Sequence, residues 1–178
     1  SITEWARHNI RTIISNVETD GHDVVYSDTD SIFVKAPVQS DSPINRPPEN
    51  SLVFEDWKNA RKETLDFGNS LADRFTKEGA ELEFETALSA FFSHGAKKRY
   101  VGRVVWPREE MLIRGYEVRR TDSFRLLTST MTEMFELILS NEEWSAVEMS
   151  KSVIDDIRAK RVDVADLVIS RSCKGSLR

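Results

Sequence analysis

The chain has little cysteine and no long apolar segment. Cys173 is the single cysteine among 178 residues, and no run of apolar residues approaches twenty in length. A lone cysteine excludes an intrachain disulfide and fits a reducing compartment. Without a long apolar run or a signal-peptide pattern, we expect a soluble intracellular protein. A chain of this length can bury one sizeable core and a small additional unit.

The chain as a whole carries more negative than positive charge, but one segment of it is basic. The chain has 25 Lys and Arg against 30 Asp and Glu, a net charge of −5, and a pI near 5.3. Taken alone, this balance argues against a nucleic-acid-binding surface. Between Lys97 and Arg120, however, eight Lys or Arg stand against three Glu. Contact with a phosphate backbone needs only a basic stripe, so a nucleic-acid partner stays open.

Two aspartates, Asp28 and Asp30, lie one residue apart between two apolar, β-branched runs. The pattern predicts a hairpin over residues 23–36, with a tight turn at Asp28-Thr29. Neighbouring carboxylates repel each other unless a cation lies between them, and Mg²⁺ shares carboxylate oxygens with substrate phosphates. The pair therefore suits phosphoryl transfer. Considered alone, it is more often simple turn chemistry, in which Asp accepts backbone N–H groups.

Two charged segments follow. Glu alternates with apolar residues over 81–85, which predicts a strand with carboxylates on one face, most simply a solvated sheet edge. Lys-Lys-Arg-Tyr at 97–100 then opens a predicted hairpin of strands 97–106 and 111–118 around Pro107. Cationic groups neutralise phosphates, and a phenol adds a donor and a flat apolar face. A basic triplet alone is more often a solvated surface.

Helical spacing of apolar residues predicts four helices. Ser51 is the expected N-cap of the second, and Gly68 marks a weak point or kink within it. Asp122 and Asn141 are the expected starts of the last two. The predicted elements outside the hairpins are helices over 3–18, from 51 to about 79, from 122 and from 141, an exposed loop over 37–50, and a short strand over 167–169.

Three motifs in this order resemble those of family B DNA polymerases. Tyr-Ser-Asp-Thr-Asp-Ser at 26–31 resembles motif C, and residues 97–100 resemble the Lys-Lys-x-Tyr motif that grips the primer. Gly-Tyr-Glu at 115–117, followed by two arginines, resembles the start of the thumb. The resemblance covers nearly the whole chain. It implies an α+β fold, with an antiparallel palm sheet and packed helices over 1–118 and a helical partial thumb over 119–178.

The resemblance also implies roles for single residues. Asp30 would be a principal ligand of two Mg²⁺ ions, and Asp28 a ligand or near neighbour. The arginine pair is shifted by one place from the family's Val-Arg-Arg-Asp, so both arginines are retained. The implied site consists of catalytic and metal-binding Asp28 and Asp30, weaker metal ligands Glu83 and Glu85, turn residues Thr29 and Ser31, and DNA-binding Lys97, Lys98, Arg99, Tyr100, Arg119 and Arg120.

Other motifs of the family are missing from this sequence. Neither an Asp-x-x-Ser-Leu-Tyr-Pro motif, with the other catalytic aspartate, nor the Lys-x3-Asn-Ser-x-Tyr-Gly helix occurs. The chain therefore resembles the small subunit of a split archaeal family B DNA polymerase. That resemblance implies a DNA-directed DNA polymerase active only with a large subunit that carries the remaining motifs and shares the Mg²⁺ ions. Primer-template DNA and deoxynucleoside triphosphates would be its ligands, with no membrane partner, and its location cytoplasmic and chromosome-associated.

Two other function classes remain open. A non-catalytic, polymerase-derived module that clamps duplex DNA is the nearer one, although such a module has no physical reason to keep two repelling carboxylates. A palm-like nucleotide cyclase suits the basic segment and the thumb-like helices less well. The three histidines, His8, His22 and His94, show no ligand spacing and are interpreted as structural.

Overall fold

The computed structural model describes residues 2–38, 41–80, 82–116 and 123–169, with side chains from His8 onward. Its mixture of helices and antiparallel strands confirms the predicted α+β class. In chain order the elements are α1 (Ile2–Thr19), β1 (Val24–Ser27), β2 (Ile32–Val34), α2 (Phe54–Lys77), β3 (Ala87–Phe92), β4 (Tyr100–Trp106), β5 (Glu110–Arg114), α3 (Arg125–Leu139), α4 (Glu143–Arg158) and a 3-10 turn (Val164–Leu167).

The chain forms two compact units. The first comprises Ser1–Ser89 and Val104–Glu109, and the second comprises Ala90–Arg103 and Glu110–Arg178. The boundary between these units falls within β3 and β4, and the division into a palm over 1–118 and a thumb over 119–178 stays a prediction. Strands β1 and β2 form one sheet, and a second sheet has the order β3-β4-β5. None of the described helices is long and apolar enough to cross a membrane.

An apolar cluster in the first unit holds the β1–β2 hairpin. Val17 of α1 and Phe75 of α2 are almost fully buried, and apolar residues of both strands pack against them. Burial of such side chains is worth about 1.5–3 kcal/mol each, so this contact fixes the hairpin on the two helices. We call this set the hairpin cluster: Ile13, Val17, Phe75, Val24, Ile32, Val34, Leu71, Ala80 and Leu82.

A second cluster in the same unit surrounds Trp57 of α2. Phe84 stacks on Trp106 with ring centroids 5.1 Å apart and planes 3° from parallel. Helix α2 continues through Gly68, which packs directly against the Phe84 ring: a Cβ at this position would lie 2.6 Å from Cζ of Phe84. Gly68 is therefore a packing residue within an unbroken helix.

The strand predicted over 81–85 is wrong for its described part, residues 82–85. These residues form no strand, although their burial alternates as predicted. Leu82 packs on the hairpin cluster and Phe84 on the Trp57 cluster, while Glu83 and Glu85 are exposed. The alternation thus arises from packing of side chains into two apolar clusters and not from backbone pairing. Strand β3, which lacks a clear alternation, was not predicted.

The core of the second unit forms between the sheet and α3. Val101 of β4, Ile113 of β5, and Phe135 and Leu139 of α3 are buried together. The Tyr116 ring packs on Phe135 at a centroid distance of 4.7 Å. Helix α4 packs on α3, with Ala146 buried.

The predicted helix starts are wrong in detail. Helix α2 begins after Val53, because Ser51 instead closes a turn in which its carbonyl accepts a hydrogen bond from the Phe54 amide at 3.2 Å. Helix α4 begins after Glu142, because Asn141 adopts a left-handed φ of 60° that suits the end of the preceding helix. Helix α3 begins after Phe124, and Asp122 lies outside the described residues.

The short strand predicted over 167–169 is also wrong. Residues Val164–Leu167 form a 3-10 turn, opened by Asp163, whose carboxylate accepts a hydrogen bond from the Ala165 amide at 2.9 Å. Val168 and Ile169 are exposed and belong to no strand. An apolar run of three residues cannot distinguish a strand from the exposed end of such a turn.

The packing at Gly68 predicts a change in stability on substitution that is opposite in sign to the change expected from helix propensity. Propensity alone predicts that Gly68→Ala stabilises α2 by up to about 1 kcal/mol. Because the new methyl group would overlap the Phe84 ring, we expect instead a loss of about 1–3 kcal/mol. Urea unfolding monitored by circular dichroism measures the difference, and Ser70→Ala on the exposed part of α2 serves as the control, with no loss expected.

A double-mutant cycle isolates the contact. In a Phe84→Leu background, the cost of Gly68→Ala should shrink or reverse, because the smaller side chain leaves room for the methyl group. An equal cost in both backgrounds would contradict the overlap.

Candidate functional site

The two aspartates lie at the tip of the β1–β2 hairpin, as predicted. The strands pair antiparallel with Ser27 opposite Ile32, and residues 28–31 form the turn between them. The Asp28 amide donates a hydrogen bond to the Ser31 carbonyl at 2.9 Å, which closes the turn. The turn is therefore wider than one centred on Asp28-Thr29.

The two carboxylates have different surroundings. Oδ1 of Asp28 accepts hydrogen bonds from the amide of Thr29 at 2.7 Å and from its hydroxyl at 3.2 Å. The Asp30 side chain is exposed, and we find no hydrogen bond or ion pair from it to another described residue. Thr29 thus supports the turn through its amide and hydroxyl, and Ser31 through its carbonyl. Asp28 helps to shape the tip, whereas Asp30 presents its carboxylate to solvent.

The strands below the tip pack on the hairpin cluster and contact each other through aromatic rings. Val24, Ile32 and Val34 pack into the hairpin cluster, while Tyr26 and Phe33 meet edge to face at 5.5 Å. The Lys35 amide donates to the Asp23 carbonyl at 2.9 Å, which closes the base of the hairpin. The tip is therefore carried on a packed support and not on an isolated ribbon.

Glu83 and Glu85 contribute no recognisable metal site. Both are exposed in an irregular segment. Within the described parts of the chain, no group of three or more His, Cys, Asp or Glu residues is arranged to hold a metal ion, so neither glutamate joins Asp28 and Asp30 in such a group. Their role as weak ligands stays a prediction.

The basic segment lies in a loop more than in a strand. Lys97 and Lys98 occupy a turn, the Arg99 amide donates to the Ala96 carbonyl at 3.3 Å, and all three basic side chains are exposed. The predicted strand 97–106 is therefore wrong at its first three residues, because Lys98 adopts a left-handed φ of 60° that an extended strand excludes. Strand β4 begins at Tyr100, whose ring lies 5.7 Å from that of Phe91.

The third motif packs directly against this loop. Gly115 has a φ of +73°, and a Cβ there would overlap the Lys98 carbonyl oxygen and approach Cγ of Arg99 to 2.8 Å. Only glycine fits at this point. Strand β5 ends at Arg114, so the predicted strand 111–118 is too long; residues 117–118, Arg119 and Arg120 lie outside the described residues.

Tyr116 follows as a partly buried phenol. Its hydroxyl is buried without a hydrogen-bond partner among the described residues. Burial raises the pKa of Tyr116 above its ordinary value, and the positive charge of Arg99 opposes that rise. The second and third motifs therefore meet within the second unit, whereas the aspartate hairpin belongs to the first.

Two residues of the same loop were missed as functional candidates. The Ser93 hydroxyl donates to the Arg99 carbonyl at 3.1 Å, and Nδ1 of His94 accepts from the Ala96 amide at 3.2 Å. The signal in the sequence was the Ser-His-Gly composition before the basic run, which is typical of a turn.

Comparison with known proteins identifies the family. Residues 50–177 match the family model described as DNA polymerase family B. The chain is 28% identical over 172 residues to DNA polymerase 2 of Aeropyrum pernix, covering 95% of this chain and 18% of that protein. It is 30% identical over 169 residues to the DNA polymerase of Archaeoglobus fulgidus, covering 94% of this chain and 18% of that protein. It is also 27% identical over 173 residues to DNA polymerase II of Escherichia coli, covering 92% of this chain and 21% of that protein.

A solved structure has the same fold. The family B DNA polymerase of Pyrobaculum calidifontis superposes with a TM-score of 0.60 at 23% identity, covering 94% of this chain and 18% of that one. The chain thus spans about a fifth of the length of these relatives, which include bacterial as well as archaeal proteins. Because the family model matches more than half of its residues, the chain belongs to DNA polymerase family B.

Proposed function

We propose that this chain supplies the motif C aspartates and a primer-binding loop to a DNA-directed DNA polymerase. The observation that carries the proposal is the pair Asp28 and Asp30 at one hairpin tip, held by the hairpin cluster. Membership of DNA polymerase family B supports the reaction class.

The tip offers oxygen donors that suit Mg²⁺. Hard divalent cations prefer carboxylate oxygens and complete their shell with water and substrate phosphates. Asp30, exposed and without an assigned partner in the described chain, is the proposed principal ligand. Asp28, whose Oδ1 already accepts two hydrogen bonds from Thr29, is a secondary ligand or a near neighbour. Two bound Mg²⁺ ions would supply charge neutralisation for in-line displacement at a nucleotide phosphate.

The basic loop, defined as residues 93–99, supplies positive charge that complements the phosphates of DNA. Lys97, Lys98 and Arg99 are exposed side by side, with Tyr100 at the start of β4. We propose that these four residues bind the sugar-phosphate backbone of the primer, because exposed cations next to a phenol suit phosphates without reading base sequence. Arg119 and Arg120 stay proposed DNA contacts.

The remaining machinery is proposed to come from a partner. A large subunit would carry the other catalytic aspartate and the residues that bind deoxynucleoside triphosphates, and it would share the Mg²⁺ ions. In this proposal the chain is the small subunit of a split enzyme, archaeal in type, that acts on the chromosome in the cytoplasm.

One observation favours a second function. The Asp28 carboxylate hydrogen-bonds its own turn, which an aspartate with a purely conformational role would also do. A non-catalytic module that clamps duplex DNA would use the basic loop and leave the hairpin tip without a chemical role. Substitution of Asp30 distinguishes the two functions.

The purified chain alone should not incorporate nucleotides. One aspartate pair without its counterpart cannot hold both metal ions in reactive geometry. Primer extension with the chain alone, and then with a large subunit added, measures this; extension should occur only with both. Incorporation by the rigorously purified chain would contradict the split site.

Asp30→Ala should abolish nearly all primer extension by the reconstituted enzyme, since an exposed tip side chain serves the reaction and not the core. Asp28→Ala should be milder if Asp28 is the secondary ligand. The matched control is Asp23→Ala, an exposed aspartate at the base of the same hairpin, which should keep full activity.

Gel filtration and circular dichroism check that each variant assembles and folds. If Asp30→Ala kept more than about a tenth of the rate, a loss below about 1.4 kcal/mol, the metal role would be wrong and the non-catalytic clamp would be favoured.

Loss of the Lys98 charge should weaken binding to primer-template DNA and leave nucleotide affinity unchanged. Lys98→Asn is the sharper variant than Lys98→Ala, because asparagine tolerates the left-handed conformation at this position. The slope of log affinity against log salt should fall by about one unit, for one phosphate no longer neutralised.

Fluorescence anisotropy over a salt series measures both quantities on several template sequences, where the loss should be equal. Lys62→Gln, an exposed lysine of α2, is the control. An unchanged slope, or a defect only in nucleotide affinity, would assign Lys98 to a merely solvated surface.

A further inference from the structure

The basic loop holds an unfavourable backbone conformation at the residue proposed to bind DNA. Lys98 has a φ of 60°, in the left-handed region that non-glycine residues other than Asn and Asp seldom adopt. Such conformations persist where surrounding contacts impose them, and they concentrate at functional sites. The loop must therefore contain restraints that hold Lys98 in place.

Two side chains at the start of the loop form hydrogen bonds with its backbone on either side of Lys98. The Ser93 hydroxyl donates to the Arg99 carbonyl at 3.1 Å and accepts from the Gly95 amide at 3.3 Å, so it ties the two ends of the loop together. Nδ1 of His94 accepts from the Ala96 amide at 3.2 Å. The Ala96 carbonyl in turn accepts from the Arg99 amide, which links His94 to the backbone around Lys98.

The His94 ring also contacts an aromatic ring of the segment that follows β5. It meets the Tyr116 ring edge to face at 6.0 Å and 72°. Tyr116 is anchored by Phe135, and the neighbouring Gly115 packs under the Lys98 carbonyl. Nδ1 of His94 is therefore the atom through which the ring restrains the loop backbone.

We propose that Ser93 and His94 are positioning residues that preorganise Lys97, Lys98 and Arg99 for contact with the DNA backbone. The inference rests on the proposed DNA-binding role of the basic loop. Because this loop is exposed and its hydrogen bonds cover little apolar surface, losing one should change the loop conformation and leave the cores intact. The variants should then bind DNA more weakly, because a loop that must become ordered on association lowers the affinity.

The test compares two replacements of His94 that differ in one acceptor. In asparagine, Oδ1 is three bonds from Cα, as Nδ1 is in histidine, so His94→Asn can accept the same amide of the residue two positions on. His94→Leu has similar bulk but no acceptor. Ser93→Thr and Ser93→Ala form a second pair, with the hydroxyl kept or removed.

The full 178-residue chain is titrated with a primer-template duplex over a salt series, with Lys98→Asn measured in parallel. We expect His94→Leu and Ser93→Ala to weaken binding about fivefold, equivalent to about 1 kcal/mol. His94→Asn and Ser93→Thr should stay within about twofold of the parent. The salt slope should not change in any of these four variants, because no cation is lost, whereas Lys98→Asn should lower it.

Hydrogen exchange at the Ala96 amide gives a readout that does not depend on DNA. Protection should fall in His94→Leu and return in His94→Asn, with the urea midpoint unchanged in both. Equal DNA-binding losses in His94→Leu and His94→Asn, or no loss in His94→Leu while Lys98→Asn is weakened, would overturn the positioning role. If Lys98→Asn itself binds DNA as the parent does, the proposed function of the loop fails instead.

Discussion

The position of the aspartate hairpin depends on burial of the hairpin cluster. A single closing hydrogen bond at the turn contributes about 1 kcal/mol, too little to hold two carboxylates together at an exposed tip. Val17 and Phe75, almost fully buried beneath the strands, contribute about 1.5–3 kcal/mol each. Apolar packing of α1, α2 and the hairpin therefore supports the tip that carries both aspartates. Asp30 can be exposed because the residues below it carry the stability.

In the second unit, the main constraint is the close approach of two backbone segments. Lys98 lies in a left-handed turn, and its carbonyl faces Gly115 at a distance that leaves no room for a side chain. Ser93 and His94 restrain the same loop from its start. An acidic protein with a net charge of −5 thus exposes three consecutive cations, Lys97, Lys98 and Arg99, in one loop.

Much of this was predictable because it is local. The hairpin around Asp28 and Asp30, helix α1, the extent of α2 and the pair α3 and α4 follow from periodicities within each segment. Several errors arose where long-range contacts decide the conformation. The alternation at residues 82–85 comes from two apolar clusters and not from a strand. The error at Ser51 is local, because a turn between Ser51 and Phe54 replaces the expected cap. Gly68, which was expected to weaken α2, leaves the space into which the Phe84 ring packs.

The sequence by itself determined the family, the order of the three motifs and the placement of both aspartates at one turn, because motif spacing and β-branched runs are properties of consecutive residues. Only the tertiary structure decided that Asp28 shapes the turn while Asp30 is exposed, and that Lys97 to Arg99 form a loop restrained by Ser93, His94 and Gly115. The physical reason is that conformation at these positions is set by contacts between residues distant in sequence or across a turn, and linear patterns do not encode such contacts.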